Sequence, residues 1–521
     1  MDKKNTILWV DDEIHQLKPH IMFLKNKGYE VITASNGEDA IEHVRRGDAD
    51  VVLLDEMMPG LDGLSTLEEI RDIDAYIPVV MITKSEEERL MEDAIGKEIT
   101  DYILKPVNPS QILLSLKKIF EGTRIQEKHV IRNYTKEYRE VYAKDRSTDK
   151  AWYETATWLA YWDIIFDNHP DTGLGATHSE FHKELNIEFA HYIRANYEKW
   201  VNSRPADRPT LSVDIPNKKL LPHLKDGKKV FYIVIDCMRL DQWMAVEDLI
   251  AEHFDILSEL YYSILPTATP YSRNAIFSGL FPSELAKTHP KIWQTAFADE
   301  ASRNRFEHQL LDRLIRRQNI DIKGDTRYIK ILDPDEGKDL LDKLPRYLNS
   351  PVSSVVVNFL DILAHSRAAS DVLKEVANDE KGLRMIMRTW FKQSPLFQVL
   401  KRISEKDNIV IITTDHGSII GKKGLKAYGR RDTSTNLRYK YGDNLNAEKK
   451  ASILVKDPRK WKLPAFSVTT NYIIAEENYY FLYPSNFRQY EKQYKNSVLH
   501  GGISIEEMIV PVITLLPKGS R

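Results

Sequence analysis

The stretch IVIITTDHG, residues 409–417, combines the two features that decide the fold of the larger part of this chain. Its first six residues are apolar or β-branched, which is typical of a strand buried on both faces of a parallel sheet. Asp415 and His416 follow directly at the carboxyl end of that strand. Open α/β sheets bind their ligands outside the carboxyl ends of their strands. The stretch therefore predicts an α/β domain with a polar site along one edge of its sheet.

Four further segments of the C-terminal half also place a metal-binding side chain after an apolar run. They are Asp236 after FYIVI, Thr269 after YYSILPTA, Asp361 and His365 after SVVVNFL, and His500 after SVL. Together with the Asp-His pair, the set holds three carboxylates, three imidazoles and one hydroxyl. These ligands suffice for two adjacent transition-metal ions, so the sequence predicts a two-metal hydrolase.

Composition predicts a globular protein of several domains. The chain has 521 residues, of which 42% are hydrophobic and 29% are charged. No apolar run is long enough to span a bilayer, and the first residues lack the core of a signal peptide. A single cysteine excludes an intrachain disulfide and fits a reducing compartment. We therefore expect a cytoplasmic protein that does not span a membrane.

The first 120 residues alternate between apolar strands and amphipathic helical stretches. This pattern predicts a flavodoxin-like (βα)5 domain with a doubly wound parallel sheet. Asp11 and Asp12 follow the run ILWV, and Asp55 follows VVLL, so three carboxylates are expected at neighbouring strand ends. Carboxylates placed this closely repel one another unless a divalent cation joins them, and Mg²⁺ prefers such oxygen ligands. We expect one Mg²⁺ at this edge.

The motifs DDE, LLDEMMPG, VVMIT and YILKP occur in this order within residues 1–120. With their spacing, they make this region similar to the receiver domain of bacterial response regulators. The resemblance implies that Asp55 accepts a phosphoryl group from a sensor histidine kinase. It also implies that Asp11, Asp12 and the backbone carbonyl of Met57 hold the Mg²⁺ together with Asp55.

The same resemblance assigns three switch residues. Lys105 would pair with the phosphoryl charge, Thr83 would hydrogen-bond to it, and Tyr102 occupies the position of the switching aromatic residue. Added negative charge would draw Thr83 and Lys105 inward and bias a two-state surface. We expect phosphorylation to strengthen a homodimer formed through the face that contains Tyr102 and Lys105.

Residues 121–208 lack strand patterns and are rich in aromatic and charged residues at helical spacing. They predict a connector of about three helices, whose aromatic residues are expected in the core rather than on a partner-binding face. Residues 209–521 return to an α/β pattern, which predicts a third domain.

Thr269 begins the segment TPYSRNAIFSG. Thr is favoured at the N-cap and Pro at the first position of a helix, so Thr269 is predicted to cap a helix whose N-terminus attracts anions. Thr267 is the competing hydroxyl, but it lies two residues before the proline and caps nothing. Arg273 and Asn274 follow on the first turn, where they either contact phosphoryl oxygens or lie on the surface.

Residues 210–521 resemble the alkaline phosphatase superfamily, in particular its PglZ-type members. By that resemblance, one Zn²⁺ is held by Asp361, His365 and His500. The second Zn²⁺ is held by Asp236, Asp415, His416 and the Thr269 hydroxyl, which acts as the nucleophile. The ligand types suit Zn²⁺, while Mn²⁺ and Fe²⁺ remain open alternatives.

The segment GKKGLKAYGRRDTSTNLRYKYG, residues 421–442, is strongly basic and contains interleaved tyrosines. It follows the Asp-His pair, so we expect a loop that overhangs the site and binds phosphates and bases through residues such as Arg430 and Arg431. A solvated charged loop is the alternative. The composition favours a phosphodiester in an oligonucleotide or a cyclic nucleotide over a simple phosphomonoester.

A receiver joined to a PglZ-type domain resembles the response regulators associated with the type IX secretion system. No helix-turn-helix pattern follows the receiver, so no direct binding to duplex DNA is expected. The favoured function is a phosphodiesterase controlled by Asp55. The alternative is a zinc-stabilised module without catalysis, which docks onto a sigma factor or a subunit of the secretion complex.

Overall fold

A computed structural model describes residues 5–74, 76–84, 99–293, 306–367, 375, 377, 379–429 and 436–518. The chain divides into two compact units, Met1–Asn133 and Tyr134–Arg521. None of the helices in these ranges is both long and apolar enough to cross a membrane.

The first unit contains a parallel five-stranded sheet of order β2-β1-β3-β4-β5. Its strands are β1 (Thr6–Val10), β2 (Glu30–Ala34), β3 (Val51–Asp55), β4 (Val79–Thr83) and β5 (Asp101–Leu104). Separate hydrophobic clusters lie on the two faces of the sheet, as a doubly wound fold requires. The predicted flavodoxin-like (βα)5 fold is confirmed by this strand order.

Local capping explains where the helices of this unit begin and end. They are α1 (Lys18–Asn26), α2 (Gly37–Arg46), α3 (Gly63–Ile73) and α4 (Pro109–Tyr142), which continues into the second unit. The side chain of Asn36 caps α2 by accepting a hydrogen bond of 2.8 Å from the backbone N–H of Asp39. Gly47 ends the same helix in a left-handed conformation with φ of 69°.

The central sheet of the second unit has six strands in the order β7-β19-β10-β6-β9-β8. These strands are β6 (Val230–Ile235), β7 (Phe254–Tyr262), β8 (Arg327–Ile331), β9 (Val352–Val357), β10 (Ile409–Thr413) and β19 (Ile509–Pro517). Strands β10, β6, β9 and β8 are parallel, whereas β19 is antiparallel to both β10 and β7. The predicted α/β fold is therefore confirmed for the C-terminal domain as well.

Three small sheets lie beyond this central sheet. One pairs β11 (Ile419–Ile420) with β18 (Val498–Leu499), and the second combines β12 (Lys423–Tyr428), β14 (Asn446–Ala447) and β17 (Tyr479–Leu482). The third combines β13 (Tyr439–Asp443), β15 (Ser452–Val455) and β16 (Thr470–Ala475). Because β11 follows the Asp-His pair and β18 precedes His500, their pairing brings these two loops together.

The predicted helical middle is confirmed. It contains α5 (Asp149–Asn168) and α6 (Gly175–Asn202), together with the end of α4. Trp152, Phe189 and Trp200 are buried in one hydrophobic cluster with residues of the C-terminal sheet. The connector therefore packs as part of the C-terminal domain within the second unit, through aromatic side chains that bury large apolar areas.

The remaining α-helices of the second unit surround its sheets. They are α7 (Leu221–Lys225), α8 (Leu240–Met244), α9 (Glu247–Ala251), α10 (Thr269–Ser278), α11 (Pro282–Thr288), α12 (Glu307–Arg317), α13 (Pro334–Asp342), α14 (Leu344–Leu348), α15 (Phe359–Arg367), α16 (Glu380–Gln393), α17 (Pro395–Ser404), α18 (Phe487–Tyr494) and α19 (Ile505–Met508).

Candidate metal centres

The first unit brings three carboxylates together at the carboxyl ends of β1 and β3. Ligand atoms of Asp11, Asp12 and Asp55 lie within 4.8 Å of one another. Asp11 and Asp55 are buried, whereas Asp12 is exposed. A cluster of oxygen ligands with one open side suits Mg²⁺, which keeps several of its waters.

Lys105 neutralises two of these carboxylates. Its Nζ lies 2.8 Å from Oδ2 of Asp55 and 3.1 Å from Oδ2 of Asp11. Burial raises the pKa of Asp55, and the hydrogen bond from Lys105 only partly opposes this effect. Burial lowers the pKa of Lys105, but its bonds to Asp55 and Asp11 outweigh burial, so the net shift is upward. Lys105 therefore remains cationic at the predicted phosphorylation site.

The other receiver residues are placed around this cluster. The hydroxyl of Thr83 donates a hydrogen bond to the carboxylate of Glu56, a partner that sequence reasoning missed although Glu56 follows Asp55 directly. Tyr102 lies on β5, and its side chain is 44% exposed. The backbone of Met57 hydrogen-bonds Asp55, which places it beside the cluster.

One cluster of the second unit combines Asp361, His365 and His500 within 4.8 Å. Asp361 and His365 lie four residues apart on α15, so they share one face of the helix, and His365 Nε2 is 3.2 Å from Asp361 Oδ1. His500 follows β18 and places its Nε2 3.7 Å from the same carboxylate oxygen. His365 is the exposed member, so this cluster opens to solvent.

A second cluster combines Asp236, Asp415 and His416, all of them buried. Asp236 follows β6 and Asp415 follows β10, and these strands are parallel neighbours. The rings of His416 and His500 stack with centroids 4.3 Å apart and an angle of 13° between their planes. The two clusters are therefore adjacent, as the strand-end pattern predicts.

Thr269 faces the second cluster. It is the first residue of α10, and Ala268 occupies the cap position, so the predicted capping role of Thr269 is wrong by one residue. The Thr269 hydroxyl instead lies 3.2 Å from Nε2 of His416. Nδ1 of His416 lies 3.0 Å from the carbonyl of Gly417, which can only accept. Nδ1 therefore donates to this carbonyl, which turns the Nε2 side of the ring toward Thr269.

Arg273 and Asn274 differ from the expectation that they contact substrate or lie on the surface. Arg273 is fully buried, and its guanidinium contacts Asp236 and lies 3.0 Å from Oδ2 of Asp415. The side chain of Asn274 is buried and donates a hydrogen bond of 2.8 Å to the carbonyl of Pro270. Arg273 thus points toward the strand-end carboxylates, whereas Asn274 bonds back to its own helix.

The pKa values of the two buried carboxyl groups beside Arg273 shift in opposite directions. Burial raises the pKa of Asp236 well above its ordinary value, although Arg273 opposes the shift. For Asp415, Arg273 and His416 outweigh burial, so its pKa is lowered. Burial and the neighbouring His416 lower the pKa of His500 to about 3, so its imidazole is neutral. A neutral imidazole is the form that binds metals.

The donor set fits two zinc ions. It consists of imidazoles and carboxylates, which Zn²⁺ prefers over the oxygen-only sets of Mg²⁺ and Ca²⁺. Oδ1 of Asp236 is buried and has no hydrogen-bond partner within the described ranges. Buried polar atoms are nearly always hydrogen-bonded, so an unsatisfied donor atom in such a cluster is consistent with a bound ion.

The basic segment 421–442 is not a single loop. It contributes β12 and β13, and Arg430 and Arg431 lie outside the described residues. Arg438 is fully buried, where its Nε donates a hydrogen bond of 3.1 Å to Glu507. Lys440 is buried as well, whereas Lys422 and Lys423 are exposed. Two of the basic side chains of this segment are therefore not available to a substrate on the surface.

Three family models match consecutive parts of this chain. The response regulator receiver domain matches residues 7–117, and the PorX response regulator linker domain matches residues 124–201. The BREX system PglZ alkaline phosphatase-like domain matches residues 215–515, which is more than half of the chain.

Curated response regulators match about a quarter of this chain. The alkaline phosphatase synthesis transcriptional regulatory protein PhoP of Bacillus subtilis is 35% identical over 127 residues, which cover 24% of this chain and 51% of the relative. The transcriptional regulatory protein ResD of Bacillus subtilis is 36% identical over 121 residues, with 23% and 50% covered. This chain thus spans about half the length of the curated relatives it matches.

Solved structures of receiver proteins are similar to between a fifth and a quarter of this chain. A chain of the CheX–CheY complex of Borrelia burgdorferi is 29% identical, with 22% of this chain and 89% of that chain covered and a TM-score of 0.22. CheY4 of Vibrio cholerae is 26% identical, with 23% and 100% covered and a TM-score of 0.22.

Proposed function

This chain belongs to the PglZ alkaline phosphatase-like family and has the architecture of a PorX-like response regulator, and from that premise we propose a phosphorylation-controlled phosphodiesterase. The observation that carries this proposal is the Thr269 hydroxyl, 3.2 Å from His416 at a buried Asp/His cluster with a second cluster beside it. A structural zinc site does not require a hydroxyl nucleophile.

The two clusters would hold two zinc ions. Asp361, His365 and His500 form one ligand set, and Asp236, Asp415 and His416 form the other with Thr269. Bound there, the ions would lower the pKa of the Thr269 hydroxyl and neutralise charge on the phosphoryl oxygens. Arg273 holds the carboxylates of Asp236 and Asp415 in place from the buried side.

Thr269 is the nucleophile of a two-step displacement. Its hydroxyl releases its proton to solvent and Oγ1 forms a bond to phosphorus, while the bond from phosphorus to the leaving oxygen breaks. The expelled alkoxide takes a proton from solvent and departs as an alcohol. Water then cleaves the phosphothreonine, which restores the hydroxyl and releases a phosphomonoester. Because Thr269 lies at the start of α10, the positive end of the helix dipole favours the anionic phosphoryl group.

The receiver controls this reaction through Asp55. A sensor histidine kinase would phosphorylate Asp55, with Mg²⁺ held by Asp11, Asp12 and the carbonyl of Met57. The new charge lies where Lys105 already binds Asp55, 2.8 Å away. Thr83 would exchange its bond to Glu56 for one to the phosphoryl group.

The expected consequence of this exchange is a stronger homodimer. Tyr102 lies on β5, the strand paired with the one that Thr83 ends, and it is 44% exposed, so a second copy can contact it. The dimer would act in the cytoplasm, where a histidine kinase presents its phosphoryl group.

The substrate is an oligonucleotide or cyclic-nucleotide phosphodiester. Exposed Lys422 and Lys423 and the half-exposed Tyr428 on β12 support this choice, because cations meet phosphates and aromatic rings stack on bases. Charge reversal at Arg430 and Arg431 should reduce turnover of oligonucleotides more than turnover of bis-nitrophenyl phosphate. Equal losses would argue against nucleotide binding by this segment.

The second candidate is a docking module of the type IX secretion system. Val468 is fully exposed and Phe466 is 57% exposed on a loop whose Thr469 hydroxyl is tied to Asp443 at 3.0 Å. A rigid loop with an apolar tip fits contact with a protein such as a sigma factor or a secretion-complex subunit.

Hydrolysis assays distinguish the two candidates. Zinc-loaded protein, chelated protein and chelated protein with zinc restored are compared on bis-nitrophenyl phosphate, linear and cyclic oligonucleotides, and a nitrophenyl phosphomonoester. A phosphodiesterase hydrolyses the diesters faster than the monoester, loses this activity on chelation and regains it with zinc. A zinc-containing protein without turnover on any substrate would favour the docking module.

A further inference from the structure

Helix α6 of the connector contacts the short helix α19 through one buried amide. Asn186 is only 5% exposed, and its Oδ1 accepts a hydrogen bond of 2.8 Å from the backbone N–H of Ile505. Its Nδ2 donates to the carboxylate of Glu506 at 3.1 and 3.2 Å. One side chain thus holds both the backbone and a side chain at the start of α19.

Helix α19 in turn contacts both loops that carry the proposed metal ligands. The carbonyl of Glu507 accepts a hydrogen bond of 3.1 Å from the backbone N–H of Gly417, directly after His416. The carboxylate of Glu507 accepts one of 2.8 Å from the backbone N–H of Gly502, two residues after His500. A single turn of chain therefore sets the distance between the two loops.

The contact at Gly417 leaves no space for adjustment. A Cβ atom at this position would lie 1.9 Å from the carbonyl oxygen of Glu506, so only glycine permits this approach of the two backbones. Because the backbones are in direct contact, a shift of α19 displaces the loop that carries Asp415 and His416.

We propose that Asn186 is a positioning residue for the two metal centres, and the connector therefore completes the active site rather than only linking two domains. This inference rests on the proposed zinc ligands. His182, on the same face of α6, supports the contact, since its Nε2 lies 3.0 Å from Oε1 of Glu506. Residues that orient ligand-bearing groups affect metal affinity without touching the metal.

A matched control exists on the same helix. Asn202 also reaches from α6 into the C-terminal domain, where its Nδ2 donates a hydrogen bond of 2.7 Å to the carbonyl of Lys460. Asn202 is exposed, and its amide contacts neither α19 nor a ligand loop. A general loss of docking between α6 and the domain would affect both asparagines, whereas only Asn186 of the two contacts the helix that holds the metal loops.

The test measures how tightly full-length protein retains zinc. Wild type, Asn186→Ala and Asn202→Ala are loaded with zinc and titrated with a chelator. We expect Asn186→Ala to retain zinc about tenfold more weakly than wild type, while Asn202→Ala remains unchanged. Hydrogen exchange should rise in residues 415–421 and 498–503 of Asn186→Ala only.

An exchanged pair provides the rescue. Asn186→Asp combined with Glu506→Gln restores an acceptor for the Ile505 N–H and an amide-to-carboxylate bond in the opposite direction. This double variant should recover zinc retention, whereas Asn186→Asp alone places two carboxylates together and should not. The rescue also answers the case in which Asn186→Ala fails to fold.

The outcomes separate this inference from the proposed function. Wild-type protein that holds two zinc ions, with equal retention in Asn186→Ala and Asn202→Ala, would overturn the positioning role alone. Wild-type protein that binds no zinc would overturn the metal centres and the positioning role together.

Discussion

Two carboxylate clusters of this chain are neutralised by different cations. The front site is the receiver cluster around Asp55, and the rear site is the cluster around Asp236 and Asp415. At the receiver cluster, Lys105 bonds to Asp11 and Asp55, and its side chain is 17% exposed. At the rear cluster, Arg273 pairs with Asp236 and Asp415 and is fully buried. Both clusters lie at the ends of parallel strands, so the difference arises from the cation and its burial.

This difference matches the tasks proposed for the two sites. A lysine is a point charge on a flexible stem, so Lys105 can follow a phosphoryl group that arrives on Asp55. An arginine is a planar fork, which fixes the two carboxylates that it binds. The front site is therefore built to exchange partners, whereas the rear site is built to hold its ligands still.

The largest loss of stability is expected when Arg273 is replaced in the metal-free protein. Arg273→Met leaves Asp236 and Asp415 buried without a cation, which should cost about 3–5 kcal/mol of local stability. Hydrogen exchange by mass spectrometry on chelated full-length protein reports this loss at β6 and β10. Lys105→Met serves as the counterpart, and its smaller loss should appear at β1 and β3. Equal losses at both sites would contradict the contrast.

Asp55→Ala tests whether the front site alone receives the signal. The variant should lose the whole beryllofluoride-induced shift in sedimentation toward the dimer, because the acceptor carboxylate is gone. Zinc content should remain that of wild type, since the rear ligands are untouched. A shift that persists in Asp55→Ala would refute the assignment of the phosphorylation site.

The smallest expected effect is a change in the pH dependence of stability that depends on His182. Burial would lower the pKa of His182, but Glu506, Asp163 and Glu380 outweigh burial and raise it to about 9, from an ordinary value of 6.5. Because the folded pKa is the higher one, its stabilisation is complete below pH 6.5 and is lost as pH rises through about 9.

Thermal unfolding of chelated protein measures this pH dependence. Between pH 6.5 and 9 the stability of wild type should decline, and His182→Gln should flatten this decline. A decline of equal slope in His182→Gln would show that other groups cause the pH dependence.

The strand-end residues can be located from the sequence because ligand binding at the carboxyl ends of parallel strands depends on topology alone. Any residue directly after a buried parallel strand lies at the ligand-binding edge, whatever its neighbours are. Asp236 and Asp415 therefore lie in one cluster and Asp55 in another, as the pattern indicates. The helix face of Asp361 and His365 follows from their spacing of four residues in the same way.

Side chains whose direction depends on distant packing could not be placed in this way. The basic run around Arg438 indicates charge, but its partner Glu507 lies 69 residues further along the chain. Arg273 follows Thr269 by one turn, and only the docking of α10 against the sheet turns it toward the carboxylates. Asn186 carries no local signal at all, because its partners are 319 and 320 residues away.

Turnover by Thr269→Ala tests the central claim most directly. Wild type and variant are brought to equal zinc content and assayed on bis-nitrophenyl phosphate, with and without beryllofluoride. We expect turnover by Thr269→Ala to fall by about a thousandfold or more, and the wild-type rate to change with beryllofluoride. Undiminished turnover in Thr269→Ala, or none in wild type with both zinc ions bound, would contradict it.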